Sequence, residues 1–313
     1  MDKDSVIYIA GHNGLVGSAI SRNLNSNGYL NWFGYSRDDI DLTDSAKVDL
    51  MFMLTKPEYV FLCAAMVGGI VANSTRSAEF IYNNIKIQTN IINSCYKFGV
   101  KKLLFLGSSC IYPKYSPQPM REDALLSGLL EPTNKAYAIA KISGIVMCES
   151  YNKQYGTNFI SVMPTNSYGI NDTYNTEKSH VIPVLIKKIY DAKQNNLKSV
   201  TLLGSGRAER EFVFSDDLAE ACIFVMNSQI TEMLNIGSGE TVTISDLANK
   251  IKYIVGYDGD VLFDNSSPDG PLLKSIDSSK INCFGWKAKT TLDTGLPIAF
   301  NDFLERIKSG NLH

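Results

Sequence analysis

Tyr137 and Lys141 stand four residues apart in a stretch patterned as a helix, and Gly107-Ser108-Ser109 precedes them. On a helix that spacing puts phenol and ammonium on one face. An ammonium beside a phenol favours the phenolate and is expected to lower the Tyr pKa from about 10. The pair would then act as an acid that protonates an alkoxide formed by hydride delivery. Ser108, ending the preceding strand, could hold the same oxygen by hydrogen bonding. Alone, Tyr-x-x-x-Lys is a common and mostly structural pattern. After a strand-end serine and a glycine loop it reads as a site.

The glycine loop is Gly11-His12-Asn13-Gly14-Leu15-Val16-Gly17, placed directly after an apolar strand and opening a helix. Such glycines allow a tight turn and close approach of a pyrophosphate to a helix N-terminus. The plain alternative is a glycine-rich turn with no ligand; its position after the first strand favours a dinucleotide. The second strand ends Tyr35-Ser36-Arg37, where an acidic residue would suit the ribose hydroxyl of NAD. Arg37 suits a 2′-phosphate instead and points to NADP(H), although Asp38 and Asp39 follow and a solvated surface arginine is the competing reading. Asp41 and Leu42 are candidates for the adenine edge, and Ala64 and Ala65 end the third strand where the cofactor would pass.

These residues need strands and helices to position them. Short apolar runs predict strands at Val6–Ala10, Tyr29–Tyr35, Tyr59–Cys63, Lys101–Gly107 and Phe159–Met163. Helical spacing predicts helices over 15–26, from about Phe80 to Phe98, and over Thr133–Tyr155. The alternation implies an α/β fold, a Rossmann-like doubly wound parallel sheet. Beyond Pro164 the pattern loosens into a helix over Val181–Lys193, a strand at Ser199–Leu203, a helix over Asp216–Met226 capped by Ser215 or Asp216, and short strands near Leu234–Gly237 and Gly259–Phe263. The expectation is a cofactor domain over 1–165, rejoined by segments around 212–236. A smaller α+β C-terminal substrate domain would comprise 166–211 and 237–313.

Composition narrows the class. The chain has 313 residues and near-balanced charge, 30 Lys plus Arg against 32 Asp plus Glu. It therefore lacks the basic surplus of a nucleic-acid binder. Its longest uncharged apolar run, Val60 to Ala72, is shorter than the roughly 18 residues of a membrane span. The start Met1-Asp2-Lys3-Asp4-Ser5 leads straight into a strand-like run, so a cytoplasmic location is expected. The six cysteines lie far apart with no C-x-x-C pair, so neither a metal site nor a disulfide scaffold is expected. Of three histidines, His12 lies in the glycine loop and His313 at the terminus, which leaves His180 as the best proton shuttle.

The motifs Ala10–Ser18, Val67–Asn73, Gly107-Ser-Ser-Cys-Ile-Tyr-Pro113, Glu131-Pro-Thr-Asn134, Tyr137-Ala-Ile-Ala-Lys141, Cys148–Asn152, Met163-Pro-Thr-Asn166 and Ser179-His-Val-Ile-Pro183 together resemble the GDP-L-fucose synthases. These belong to the extended short-chain dehydrogenase/reductase superfamily. The likeness runs over nearly the whole chain. It implies epimerisation at C3 and C5 of GDP-4-keto-6-deoxy-D-mannose, then reduction of the C4 ketone with NADPH, in a homodimer paired through its two long helices. By the same resemblance Cys110 and His180 are the epimerising base and acid. Ser108, Tyr137 and Lys141 act at C4. Leu106, Lys141, Pro164, Asn166 and His180 line the cofactor. Ser109, Asn166, Lys188, Leu203, Arg210 and Asp269 meet the nucleotide sugar, Arg210 at its diphosphate. The plain alternatives are that Cys110 is a small buried hydrophobe and His180 a satisfied core side chain.

Three positions depart from that pattern. Asn13 stands where a basic residue is common, Leu203 where a tryptophan is frequent, and Leu273 where the arginine of Pro-Asp-Gly-Thr-Pro-Arg-Lys falls. The same chemistry on a related 4-keto GDP-sugar, a colitose or 6-deoxy-heptose precursor, is therefore the near alternative. A non-catalytic nucleotide-sugar sensor is the distant one.

Overall fold

Short runs rich in Val, Ile, Leu and Phe without alternation predict strands covered on both faces. The computed structural model describes all residues except 176–178, 265, 267–269, 311 and 313, and at 70 and 71 it describes the backbone alone. Its strands are β1 (Ile7–Ala10), β2 (Trp32–Phe33), β3 (Tyr59–Leu62), β4 (Lys102–Leu106), β5 (Phe159–Pro164), β6 (Asn166–Tyr168), β7 (Ser199–Leu203), β8 (Glu209–Phe214), β9 (Leu234–Ile236), β10 (Thr241–Thr243), β11 (Asp260–Asp264) and β12 (Leu273–Lys274). The helices are α1 (Leu15–Ser26), α2 (Ser45–Thr55), α3 (Ile70–Thr75), α4 (Ser77–Lys97), α5 (Lys135–Tyr155), α6 (Val181–Gln194), α7 (Ser215–Asn227), α8 (Ile244–Val255), α9 (Ser279–Cys283) and α10 (Leu292–Lys308).

Six strands form one parallel sheet in the order β2-β1-β3-β4-β5-β9. Every residue of β1, β4 and β5 is buried. On one face Ile20 and Leu24 of α1 and Leu218 and Cys222 of α7 pack on Ile7, Ile9 and Phe61. On the other, Phe52 of α2, Ile91 of α4 and Ile145 of α5 pack on Tyr8, Val60 and Phe105. The strand order reverses between β1 and β3, which opens a crevice at their carboxyl ends. The glycine loop lies there.

Three expectations need correction. The second strand is only Trp32–Phe33, because Tyr29 N–H turns back to the Leu24 carbonyl at 2.9 Å and Tyr35 leads into a turn closed by Asp39 on Ser36. Neither Ser215 nor Asp216 caps α7. Asp216 instead takes Arg22 of α1 at 2.8 Å, docking α7 on α1. Residues 212–214 do not rejoin the large sheet. They pair with β6, while Val213 packs with Leu218 of α7 in the core of the large sheet.

A second sheet orders β10-β8-β12 with β6 also on β8, and β7 pairs with β11 alone. A third core, with Ile186 of α6, Ile251 of α8 and Phe303 of α10, packs behind Phe212 and Phe214. No helix among the described residues is long and apolar enough to cross a membrane.

Glu211 of β8 joins these parts. It is wholly buried, and its carboxylate accepts the backbone N–H of Ile276 at 2.8 Å and of Gly239 at 2.9 Å. Burial pushes its pKa up, and those N–H bonds oppose the push. Glu211→Gln turns an amide N–H₂ toward groups that can only donate. It should lower stability by about 2 kcal/mol or more, read as an earlier urea midpoint. An unchanged midpoint would remove Glu211 from this role.

Candidate active site

The glycine loop meets the requirements of a phosphate cradle. Gly11 has φ +88°, and a Cβ there would lie 2.8 Å from the Ala64 nitrogen. A Cβ at Gly17 would lie 2.1 Å from the Gly11 carbonyl. The loop therefore holds only glycine at both places. Gly14 is the N-cap of α1, with no side-chain cap and no acidic residue in the first turn. The first N–H groups and the positive end of a 12-residue helix thus face outward past Leu15 and Val16, which suits a pyrophosphate. The Asn13 carbonyl is tied to Asn171 Nδ2 at 2.8 Å. His12 packs on Gly34, where a Cβ would fall 2.3 Å from its ring.

Arg37 is exposed beyond β2. Asp39 is turned to Ser36, whose N–H and hydroxyl hold its carboxyl below the usual range. Asp41 likewise accepts from Thr43 N–H and Oγ1, with Arg37 and Lys47 adding to its lowered pKa. The carboxylates of Asp39 and Asp41 are thus committed within their own turns, while Asp38 is exposed beside Arg37. The Leu42 carbonyl is held by Asn90 at 2.9 Å. Ala64 and Ala65 follow β3, and Asn84 fixes the next residue through Met66 N–H at 2.7 Å and Met66 carbonyl at 2.9 Å.

The end of β4 carries the reactive cluster. Lys141, 3 % exposed on α5, donates to the Leu106 carbonyl at 2.7 Å. Its nitrogen lies 5.9 Å from the centre of the Tyr137 ring. Burial lowers its pKa to about 8, with Cys63 opposing slightly. Tyr137 differs from expectation. Burial raises its pKa, the Cys110 thiol adds to the rise, and a hydrogen bond with Ser108 opposes it. The phenol therefore keeps its proton through neutral pH, the state a proton donor needs. Ser108, in extended backbone, accepts Cys110 N–H at 3.2 Å and starts the 3-10 turn Ser109–Ile111. Ser109 is buried beneath it.

His180 precedes α6 as its N-cap residue, and solvent reaches its ring. The protein around it, and then the Lys274 ammonium, lower its pKa. An imidazolium in that setting is scarcer at neutral pH but gives up its proton more readily.

Lys274 was not singled out in the sequence. Its ammonium donates to Cys110 Sγ at 3.5 Å. The only signal was its place beside Leu273. The structure thus joins Lys141, Tyr137, Ser108, Cys110 and Lys274 in one chain of contacts, and the charge of Lys274 is felt at His180. Pro164 and Asn166 flank it at the end of β5 and on β6, Asn166 reaching the Glu211 carbonyl at 3.4 Å. Arg210 is one strand away, in register with Lys274, and donates to the Pro271 carbonyl at 2.7 Å. Lys188 on α6 and Leu203, 68 % exposed at the end of β7, make no hydrogen bond to the cluster among the described residues. Asp269 lies outside them. Among the described residues no group of three His, Cys, Asp or Glu side chains could hold a metal ion.

A parallel sheet with a glycine cradle at its switch point and a Tyr-Lys pair at the end of its fourth strand defines a nucleotide-dependent enzyme of the short-chain dehydrogenase type. The NAD dependent epimerase/dehydratase family has a sequence model that matches residues 7–237. The chain belongs to this family and, within it, to the GDP-L-fucose synthases. GDP-L-fucose synthase 1 of Arabidopsis thaliana is 49 % identical over 307 residues, covering 98 % of this chain and 95 % of its own. A GDP-6-OMe-4-keto-L-xylo-heptose reductase from C. jejuni is similar at a TM-score of 0.92 and 36 % identity, over 98 % of this chain and 99 % of that one. A GDP-L-fucose synthetase from Naegleria fowleri bound to NADP reaches a TM-score of 0.92 at 30 % identity, over 99 % and 96 %.

With its pKa lowered to about 8, Lys141 is charged below that pH and neutral above it. NADPH binding, followed by cofactor fluorescence, should weaken as pH rises through about 8. Lys141→Met should bind weakly with no such pH dependence. A wild-type affinity that is flat from pH 7 to 9 would contradict the charged role.

Proposed function

We propose that the protein is a two-step epimerase and reductase that converts GDP-4-keto-6-deoxy-D-mannose to GDP-L-fucose with NADPH. The observation that carries this reading is the contact chain Lys141–Tyr137–Ser108–Cys110, which sets a protonated phenol, a hydroxyl and a thiol around one space. C3 and C5 of the sugar both flank the C4 ketone, so their protons are acidic once the C4 oxygen is held. Ser108 and Tyr137 hold it by hydrogen bonding. Cys110 takes a proton from carbon, and His180 returns one on the opposite face. NADPH, when bound, supplies a hydride to C4. Tyr137 gives its proton to the oxygen, and Lys141 supports the phenol and binds the nicotinamide ribose.

Gly11, Gly14 and Gly17 take the pyrophosphate, Arg37 the 2′-phosphate, and Asp41, Leu42, Ala64 and Ala65 the adenosine side. Arg210, Lys188 and Leu203 bind the nucleotide sugar, and Asp269 is assigned to it from the sequence alone. On this reading residues 1–165, with the return through 236, carry the cofactor, while 166–211 and 237–313 carry the sugar. The chain also forms a homodimer through α4 and α5. Their outer surface leaves Tyr82, Tyr96, Val146 and Tyr155 exposed, with Tyr96 stacked on Tyr155 at 4.1 Å. The free cysteines, Cys283 exposed among them, suit the reducing cytoplasm.

Leu273 and the exposed Leu203, with the likeness to a GDP-heptose reductase, favour a second reading in which the same chemistry acts on a 4-keto GDP-heptose.

NMR of the product from GDP-4-keto-6-deoxy-D-mannose, with NADPH absorbance in parallel, tests the main reading. GDP-L-fucose with one NADPH consumed per sugar is expected. A folded, NADPH-binding protein that consumes none supports the second reading. Tyr137→Phe should slow reduction by about 10²- to 10⁴-fold while retaining NADPH binding. Cys110→Ala should leave C3 and C5 unaltered in any product, and normal GDP-L-fucose from it would exclude Cys110 as base. Sedimentation at micromolar concentration should show a dimer, and a monomer alone would remove that part.

A further inference from the structure

We propose that Lys274 holds Cys110 as a thiolate, so that the base of the site is made by a lysine from a strand 164 positions away in the chain. The inference rests on the proposed function only for the use made of that thiolate. The contact itself is geometric.

The Lys274 ammonium lies 3.5 Å from Cys110 Sγ, and among the described residues this sulfur is its one hydrogen-bond partner. A cation at that distance stabilises a sulfur anion by charge and by an N–H bond. Both ends are fixed. Cys110 sits in a 3-10 turn, its N–H held by Ser108 Oγ. Lys274 pairs in strand register with Arg210. The next two residues are clamped by Ser275 N–H on Gln118 Oε1 at 2.9 Å and Ile276 N–H on Glu211 at 2.8 Å. A flexible surface lysine would not require such anchoring.

The direction of the charge effect assigns roles. The ammonium favours the anion at sulfur, and the same charge works against an imidazolium at His180. On this proposal the Cys110 thiolate receives the proton leaving carbon. Once protonated, the thiol keeps only the weaker, neutral form of the lysine contact. Nothing is oxidised or reduced in this step: a sulfur lone pair forms the S–H bond, the C–H bond breaks, and its electron pair stays on the sugar as enolate. Lys274 is a positioning residue, since it acts through the sulfur.

The test uses the full-length protein and iodoacetamide at pH 7, with alkylation of the Cys110 peptide followed by mass spectrometry. The exposed Cys283 in the same sample is the internal reference. Lys274→Met should slow Cys110 relative to Cys283 by roughly fivefold to tenfold. Lys274→Arg, which keeps the charge, should restore the rate to within about twofold. An unchanged Cys110 rate in Lys274→Met overturns the proposal, and so does equal slowing in Met and Arg, which would mark a packing effect. Solvent deuterium entry at C3 and C5 of the substrate reads the separate question of use. If Cys110→Ala still exchanges deuterium, the epimerising role fails while slower alkylation in Lys274→Met still supports the lysine–thiolate contact.

Discussion

A single buried carboxylate governs how the two halves of this protein meet. Glu211 has no exposed surface, and an isolated charge in that place would cost several kcal/mol. It is tolerated because backbone N–H groups from two other segments converge on it. The C-terminal stretch around Ile276 is therefore not free to choose its path. It must pass β8 at one register, and that register sets Lys274 over the turn that follows β4. Asn235 of β9 adds a second pin, its amide donating to the carbonyls of Met120 and Asp277 at 3.0 and 3.2 Å. The reactive turn is thus enclosed by chain from late in the sequence.

The cluster at the end of β4 uses burial against charge. Burial raises the Tyr137 phenol and lowers the Lys141 ammonium, so each is driven toward its neutral form. Only the lysine comes near its tipping point in the physiological range. A bound cofactor carries phosphates and so adds negative charge to this region, which favours the ammonium again.

Much of this was legible in the residues. The helix α1 falls at the expected 15–26, and α4 and α5 lie within two or three residues of expectation; α1 and α4 have a clear apolar face, while α5 buries small residues such as Ala138, Ala140 and Gly144. By contrast α2 was missed, since Leu50, Met53 and Leu54 are exposed while Val48, Met51 and Phe52 are buried. A helix apolar all round has no periodic face to read. The strand β8 begins Glu209-Arg210-Glu211, which reads as a charged surface run, and nothing local marks the third residue as buried. Lys274 could not be found either: its partner is brought to it by tertiary pairing. The expected Tyr137 pKa shift had the wrong sign because spacing reveals the nearby ammonium but not the desolvation that outweighs it. The Ser108, Tyr137 and Lys141 grouping, in contrast, rests on one strand end and one helix, so local spacing sufficed.

The sheet order has a consequence for how the chain acquires its structure during synthesis. The last strand, β9, pairs with β5 although some seventy residues separate them. Until residue 236 leaves the ribosome, the outer edge of β5 has no neighbour, and the α1 surface that receives α7 stays bare. A nascent chain of this length presents an open strand edge beside an apolar face, the combination that invites pairing with another chain. Synthesis at about 5–20 residues per second keeps that edge open for several seconds. A newly made molecule therefore spends its most adhesive interval with five strands in place, and chaperone demand should be set by that interval rather than by the stability of the finished fold.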